Sequence, residues 1–334
     1  MLRRWARPLL ISLGLALVAY LVHSVGPAAI WRSFETLSWR LLVVLCFPYS
    51  VTTMLHTLGW HYVFSVPPRS FGRLVGARLA GEAVNLATPT ASVGGEPVKA
   101  YLLGPGVPLQ AGLASVVVDK TTVVIGQTVL LLVGVLVARL LVPTPAGVVA
   151  TMAGLLAIQI VAVAGFVAVQ LHGAAGRGGR LLSRFGVGPG AERQAKLEGL
   201  DRAVRETYER HPGRLASAVL LHSLAFTLGA FEIYLVVRFL EIPISLPVAL
   251  TIEAFSTGVR FVSFMVPASL GVLEGGNVAI FAAYGLGGAA GLFYTLVRRM
   301  REIAWTAVGF VALNLMSGRP LPPADEASSD PARW

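Results

Sequence analysis

The chain has 334 residues, of which 55% are hydrophobic and 13% charged, with a mean hydropathy of +0.72. That excludes an ordinary soluble domain, whose surface carries far more charge. The formal net charge of +10 does not point to nucleic acid, because the basic residues gather in a few segments between apolar runs, as they do on the cytoplasmic side of a membrane protein.

Taken in chain order, Arg3, Arg4 and Arg7 precede an apolar run, Pro8–Val25, that reads as a signal anchor and first span. A span needs about 20 apolar residues. Leu41–Phe64, Gln110–Leu140, Ala146–Leu171, Arg214–Leu240 and Gly288–Met316 meet that length as well. Phe71–Leu103 and Leu246–Leu286 are apolar but too long for one helix, and Gly, Pro and Ser interrupt each in the middle. Each reads as a helical hairpin that enters the membrane and leaves by the same side. The lone Cys46 offers no intrachain disulfide and no Cys-based zinc pattern, and no other metal or cofactor motif is present.

Lys and Arg counts set the orientation. The hydrophilic loop 172–212 carries Arg177, Arg180, Arg184, Arg193, Lys196, Arg202, Arg205 and Arg210 and is expected in the cytoplasm, as is the segment with Arg69, Arg73 and Arg78. Within that loop, Leu197, Leu200, Val204 and Tyr208 form a stripe at helical spacing. Glu198–Arg202, Asp201–Arg205 and Glu206–Arg210 are spaced for i,i+4 pairs. The Gly-rich run before it, from Gly173 to Gly190, reads as a flexible linker; no strand precedes it and no Gly-Lys-Ser/Thr follows, so it is not a nucleotide loop.

The order span, span, hairpin, span occurs twice. The first break reads Pro89-Thr90-Ala91-Ser92-Val93-Gly94-Gly95-Glu96 and the second Pro267-Ala268-Ser269-Leu270-Gly271-Val272-Leu273-Glu274-Gly275-Gly276. Asp119-Lys120 and Arg298-Arg299 follow the two glutamates at nearly equal spacing. The expected fold is an all-α integral membrane protein of six transmembrane helices plus two re-entrant hairpins. Residues 1–145 form the first repeat, with its hairpin at 71–103. Residues 146–316 form the second, with the loop 172–212 and a hairpin at 246–286. Residues 317–334 form a disordered cytoplasmic tail. Three crossings per repeat make the second copy upside down relative to the first, an arrangement known from secondary transporters.

The hairpin Asn85–Leu103, the second break and Arg298-Arg299-Met300-Arg301-Glu302 resemble the lysylphosphatidylglycerol synthase transmembrane-region family, over about residues 8–316 and closest to its hopanoid-biosynthesis branch. The resemblance implies a lipid-translocating module in the cell membrane with both termini cytoplasmic. It implies membrane lipid, with possible lipid-biosynthesis enzymes, as its partners, and no nucleic acid. The aminoacyltransferase domain of the longer enzymes is absent from this chain, so synthesis of lysyl-lipid is not implied.

Charge inside a span carries the site expectation, since it costs about 2.5–3.5 kcal/mol per residue on insertion scales. Arg298, Arg299, Arg301 and Lys120 are the candidates for holding an anionic head group, with Asp119 and Glu302 in support and Arg298–Glu302 spaced to pair. One glutamate cannot neutralise three arginines, so an anionic ligand, Glu96 or Glu274 is needed to complete the balance. At the hairpin tips, helices are expected to restart at Pro97 and near Gly276. Their free N–H groups favour an anion unless Glu96 and Glu274 cap them. Ser92, Ser269, Gly94, Gly95, Gly275 and Gly276 complete the tips. No catalytic motif is present. A transporter, an intramembrane enzyme with Glu96 or Glu274 as base, and an accessory subunit of a lipid-biosynthetic complex remain the three readings.

Overall fold

The computed structural model describes residues 23, 27–64, 70–88, 94–104, 106–184, 190–264, 266 and 269–317. The expected first span and the tail beyond Ser317 lie outside them, apart from His23, and so do Ser92 and most of the first break. Among the described residues all regular structure is helical. The helices are α1 Pro27–Leu37, α2 Arg40–Val63, α3 Phe71–Ala87, α4 Glu96–Leu102, α5 Leu109–Leu140, α6 Ala146–Leu171, α7 Ala174–Arg184, α8 Ala191–Arg210, α9 Pro212–Phe239, α10 Leu246–Val262, α11 Val272–Ala283 and α12 Gly288–Ser317.

Helices α2, α5, α6 and α9 are long and apolar enough to cross a membrane. Their outward faces keep large apolar side chains in the open: Leu140 and Val161 are each 72% exposed. A soluble bundle would bury such residues, whereas lipid solvates them. Helix α12 has the length, but the charges between Arg298 and Glu302 set it apart from these four. Helix α1 lies in the stretch between the expected spans Pro8–Val25 and Leu41–Phe64.

The chain divides into two compact units. One holds Met1–Leu55, Val124–Ala162 and His222–Ala304; the other holds His56–Val123, Val163–Leu221 and Trp305–Trp334. The first is built around Leu37, Val44, Ile233, Val237, Ile252, Phe281, Phe293 and Tyr294, with a smaller cluster of Leu130, Leu131, Met152 and Ala254. The second packs Trp60, Leu74, Ala77, Ala80, Ala100, Val118, Val204 and Ala218.

Each unit contains one broken-helix pair, α3 with α4 in the second and α10 with α11 in the first. The helices leading into the breaks are both 17 residues long, and both start on a serine N-cap. The Ser70 hydroxyl accepts the Arg73 N–H and the Ser245 hydroxyl accepts the Val248 N–H, in each case the third helical residue. The helices after the breaks differ. Helix α4 begins at Glu96, with Pro97 in its first turn, close to the expected Pro97. Helix α11 begins at Val272, earlier than the expected Gly276. Gly271 at its N-cap takes φ 78°, which a side chain would resist, and its N–H donates to Glu274 Oε2 at 2.7 Å. That side-chain cap starts the helix ahead of Gly275 and Gly276, which therefore lie within it.

The loop 172–212 is more ordered than expected. The first part of its Gly-rich run, Ala174–Arg184, forms α7, which packs on α8. The carboxylate of Asp201 accepts the N–H groups of Ala175 and Gly176, supplying the cap that α7 lacks in its own sequence. Asp201 thus serves that cap instead of the expected Arg205 pair, and Arg205 donates to the Leu171 carbonyl. Glu198 meets Arg180 at 3.8 Å instead of Arg202, while Glu206–Arg210 forms as expected at 2.7 Å. Val204 is buried, with Leu200 and Tyr208 packed beside it. Tyr208 donates to Gln170 at 2.9 Å, and burial holds its phenol above the ordinary value.

Gly95 sets the closeness of α3 to α4. A Cβ there would collide with the Gly81 carbonyl oxygen, whereas one on Gly275 would meet nothing within 4 Å. Gly95→Ala should therefore destabilise by about 1–3 kcal/mol. Gly275→Ala should be neutral or stabilise by up to about 1 kcal/mol. Melting of both variants in detergent checks the contrast.

Candidate functional site

The charged stretch of α12 is placed among α9, α10 and α11, all within the first unit. Arg298 donates through Nη1 to both oxygens of Glu253 on α10, at 3.1 and 3.4 Å, and to the Tyr294 hydroxyl at 3.1 Å. Arg299 bonds Glu274 on α11 at 2.9 Å and Glu302 at 3.1 Å. Glu302 also accepts from Arg260 on α10 at 2.8 Å. Arg301 pairs with Glu232 on α9 and lies 4.8 Å over the Tyr49 ring of α2. Below these ions a neutral set fastens the same helices. Ser256 donates to the Asn277 carbonyl oxygen at 2.5 Å, and the Asn277 amide donates to Thr295 at 2.8 Å.

Four arginines and four glutamates make up this network, so its formal charge is zero. Burial makes the matching necessary, since the Glu232, Glu253 and Glu274 side chains are each at most 3% exposed. Charge is balanced but hydrogen bonding is not. Among the described residues, buried Arg260 Nε, Arg298 Nε, Arg299 Nη2, Arg301 Nε and Glu232 Oε1 find no partner. A buried unmatched donor costs about 1–3 kcal/mol, more when charged.

The second unit holds a smaller counterpart. Arg78 on α3 pairs with Glu82 at 3.0 Å and with Asp119 on α5 at 3.4 Å. Glu96 on α4 meets Lys99 at 3.3 Å and Lys120 on α5 at 3.2 Å. Asn85 bridges this break: its amide donates to Glu96 at 3.0 Å and its carbonyl oxygen accepts the Gly95 N–H at 2.7 Å.

The two sites correspond position by position. Arg78 and Glu253 are each the eighth residue of the helix before the break. Asp119 and Arg298 are each the eleventh residue of the long helix after it, and Lys120 and Arg299 the twelfth. At the twelfth position a cation meets the glutamate of the broken helix in both units. At the eleventh the pair is reversed, Arg78 with Asp119 in one and Glu253 with Arg298 in the other.

The model of the lysylphosphatidylglycerol synthase TM region matches residues 5–309, most of the chain and both sites. The chain belongs to the lysylphosphatidylglycerol synthase transmembrane-region family. A UPF0104 membrane protein of Methanothermobacter thermautotrophicus is 32% identical over 123 residues, a match covering 34% of this chain and 34% of that protein. The chain thus matches about a third of the length of this curated relative. No solved structure matches.

In this family member, Arg298, Arg299, Arg301, Glu274 and Glu302 gather as one network, and Glu96, Lys120 and Asp119 lie together in the other unit. Three expectations change. Arg298 does not pair with Glu302 one turn on; it turns to Glu253, leaving Glu302 to Arg299 and Arg260. The counter-charges missing from the sequence account are mainly Glu232 and Glu253, with Glu274 as the expected one, and Arg260 adds a fourth cation. Glu232 and Glu253 stand inside the apolar stretches of α9 and α10, and a charge within an apolar run was the signal that could have found them. The tip N–H groups of Gly95 and Gly271 are not open to an anion, because Asn85 and Glu274 take them. Ser269 is buried against Ser263 at 2.8 Å. Gly276 has ordinary contacts only, and close approach falls instead to Gly95 and to Gly229, where a Cβ would come within 2.6 Å of Glu253.

Breaking one of these pairs should be costly. Glu253→Gln leaves Arg298 buried with a neutral partner and should lose about 3–5 kcal/mol of stability. The Glu253→Gln, Arg298→Met double variant should recover most of that loss. Unfolding of the two single variants and the double variant in detergent measures the coupling.

Proposed function

We propose that the protein moves a lipid with an anionic, phosphate-bearing head group between membrane leaflets, with Arg298, Arg299 and Arg301 receiving the head group. The observation that carries this is the surplus of buried guanidinium N–H groups. Among the described residues, each of the four arginines keeps one buried N–H without a protein partner, although each of them is already ion-paired. A purely structural ion pair has no use for such donors, while phosphate oxygens fit the planar fork of arginine. Family membership supports a lipid as the molecule concerned, and a polyprenyl or hopanoid-type lipid is within the range this site could accept.

In this reading the helix pairs α3–α4 and α10–α11 are re-entrant, and six spans carry two repeats of opposite orientation. The matched serine caps, helix lengths and charged positions support the repeat. The protein lies in the cell (inner) membrane with both termini in the cytoplasm. An intramembrane enzyme is the weaker reading, since Glu96 and Glu274, the candidate bases, are each held by cations. A place beside lipid-biosynthetic enzymes is compatible with transport.

The test is to measure melting temperature and copurifying phospholipid for single substitutions of Arg298, Arg299 and Arg301. At the position facing the head group, Arg→Lys should lower bound lipid about tenfold while the fold survives, for the loss of one charge-assisted hydrogen bond. Arg→Ala should lower it further. Stability lost in all three Ala variants with lipid content unchanged would reduce the arginines to structural ion pairs.

A further inference from the structure

The charge balance of the arginine network bears on how an anion could enter it. Each arginine of the network has a glutamate, so a phosphate diester bound there adds one uncompensated negative charge in a largely buried site. The site must then gain a positive charge or lose a negative one. A proton taken up by a glutamate does this without any further group.

The hydrogen bonds single out which glutamate. Glu253 accepts from Arg298, Tyr294 and Thr257. Glu274 accepts from Arg299 and the Gly271 N–H, and Glu302 from Arg260 and Arg299. Among the described residues Glu232 has Arg301 alone, and its buried Oε1 meets no partner there. Around its partner Arg301 stand Glu302 on the same helix and Tyr49 on α2, while Glu253, Arg260 and Glu274 on α10 and α11 belong to the same network. If Arg301 turns its donors to a head group, Glu232 is the carboxylate left without a counter-charge, at 2% exposure. A buried carboxylate in that position is far cheaper neutral than ionised.

We propose that Glu232 takes up one proton when an anionic lipid head group binds Arg301, so that the lipid and a proton move together. This rests on the lipid-transport reading above. The step is a simple proton transfer from water to a Glu232 carboxylate oxygen, which forms the neutral acid as the head group takes over Arg301. No other reactant is needed, and reversal on lipid release returns the proton.

The experiment uses the full chain in a non-ionic detergent, in weakly buffered solution with a pH-indicator dye, titrated with short-chain phosphatidylglycerol. The wild type should take up close to one proton per lipid bound. Over the same pH range its affinity should fall about tenfold for each unit of rising pH. The Glu232→Gln variant should bind the lipid with no proton uptake and with an affinity that does not change with pH. Lipid binding by the wild type without proton uptake would overturn the coupling and leave the lipid reading standing. Proton uptake that persists in Glu232→Gln would overturn the assignment to Glu232. Absence of any phosphatidylglycerol binding by the wild type would remove the lipid reading and the coupling with it. Should Glu232→Gln fail to fold, as shown by its melting profile, Glu232→Asp takes its place: proton uptake should persist with the affinity profile displaced along the pH axis, and an undisplaced profile would overturn the assignment to Glu232.

Discussion

The pairing of a glutamate on a broken helix with a cation one long helix further on is the constraint around which both units are organised. Glu96 meets Lys120, and Glu274 meets Arg299, the cation being in each case the twelfth residue of its helix. Neither partner can stand alone. A charge taken out of water costs several kcal/mol even after relaxation, and only a near partner with good hydrogen bonds offsets it. The pair therefore ties α4 to α5 and α11 to α12 at one position along each long helix. The serine caps, the close approach at Gly95 and the polar set of Ser256, Asn277 and Thr295 hold geometry that this pairing requires.

The reversed pair one residue earlier gives the two sites different characters. At the charged site of the second unit Arg78 is the buried cation of α3 and is shared between Glu82 and Asp119, and the other cations described there are lysines. In the network of the first unit the four described cations are arginines, and their counter-charges come from four helices. A lysine ammonium is a point charge that one or two carboxylates satisfy. An arginine has five donors in a plane, and a carboxylate facing one edge leaves others unused. Unmatched donors accordingly collect in the first unit, and this difference is why the head group is assigned to α12 rather than to α5.

Much of this architecture was legible in the sequence because apolar length and breaker residues are strong signals in a membrane chain. The segments Leu41–Phe64, Gln110–Leu140, Ala146–Leu171 and Arg214–Leu240 return as α2, α5, α6 and α9 with ends shifted by a residue or two. Nearly equal spacing from Glu96 to Lys120 and from Glu274 to Arg299, 24 and 25 residues, pointed to contacts that the structure contains. What escaped the reading depends on partners distant in sequence. The Gly-rich run before α8 looks unstructured until Asp201 caps it from 25 residues away. The start of α11 depends on the rotamer of Glu274, not on the glycines that follow. Arg298 and Glu302 have ideal helical spacing, but Glu253 and Arg260 on another helix compete for them successfully. Local spacing records which contacts are possible, and tertiary packing selects among them.

Charge balance and donor surplus together define the functional account: a site neutral at rest, ready to bind an anion but not to keep one without compensation. That suits a protein that must release its ligand on the far side. The most direct measurement is transbilayer movement of fluorescent phosphatidylglycerol in liposomes containing the pure protein, followed by reduction of the outward-facing label. The account predicts faster exchange than in protein-free liposomes, lost in a folded Arg301→Ala variant. Equal rates with and without the wild-type protein would contradict it.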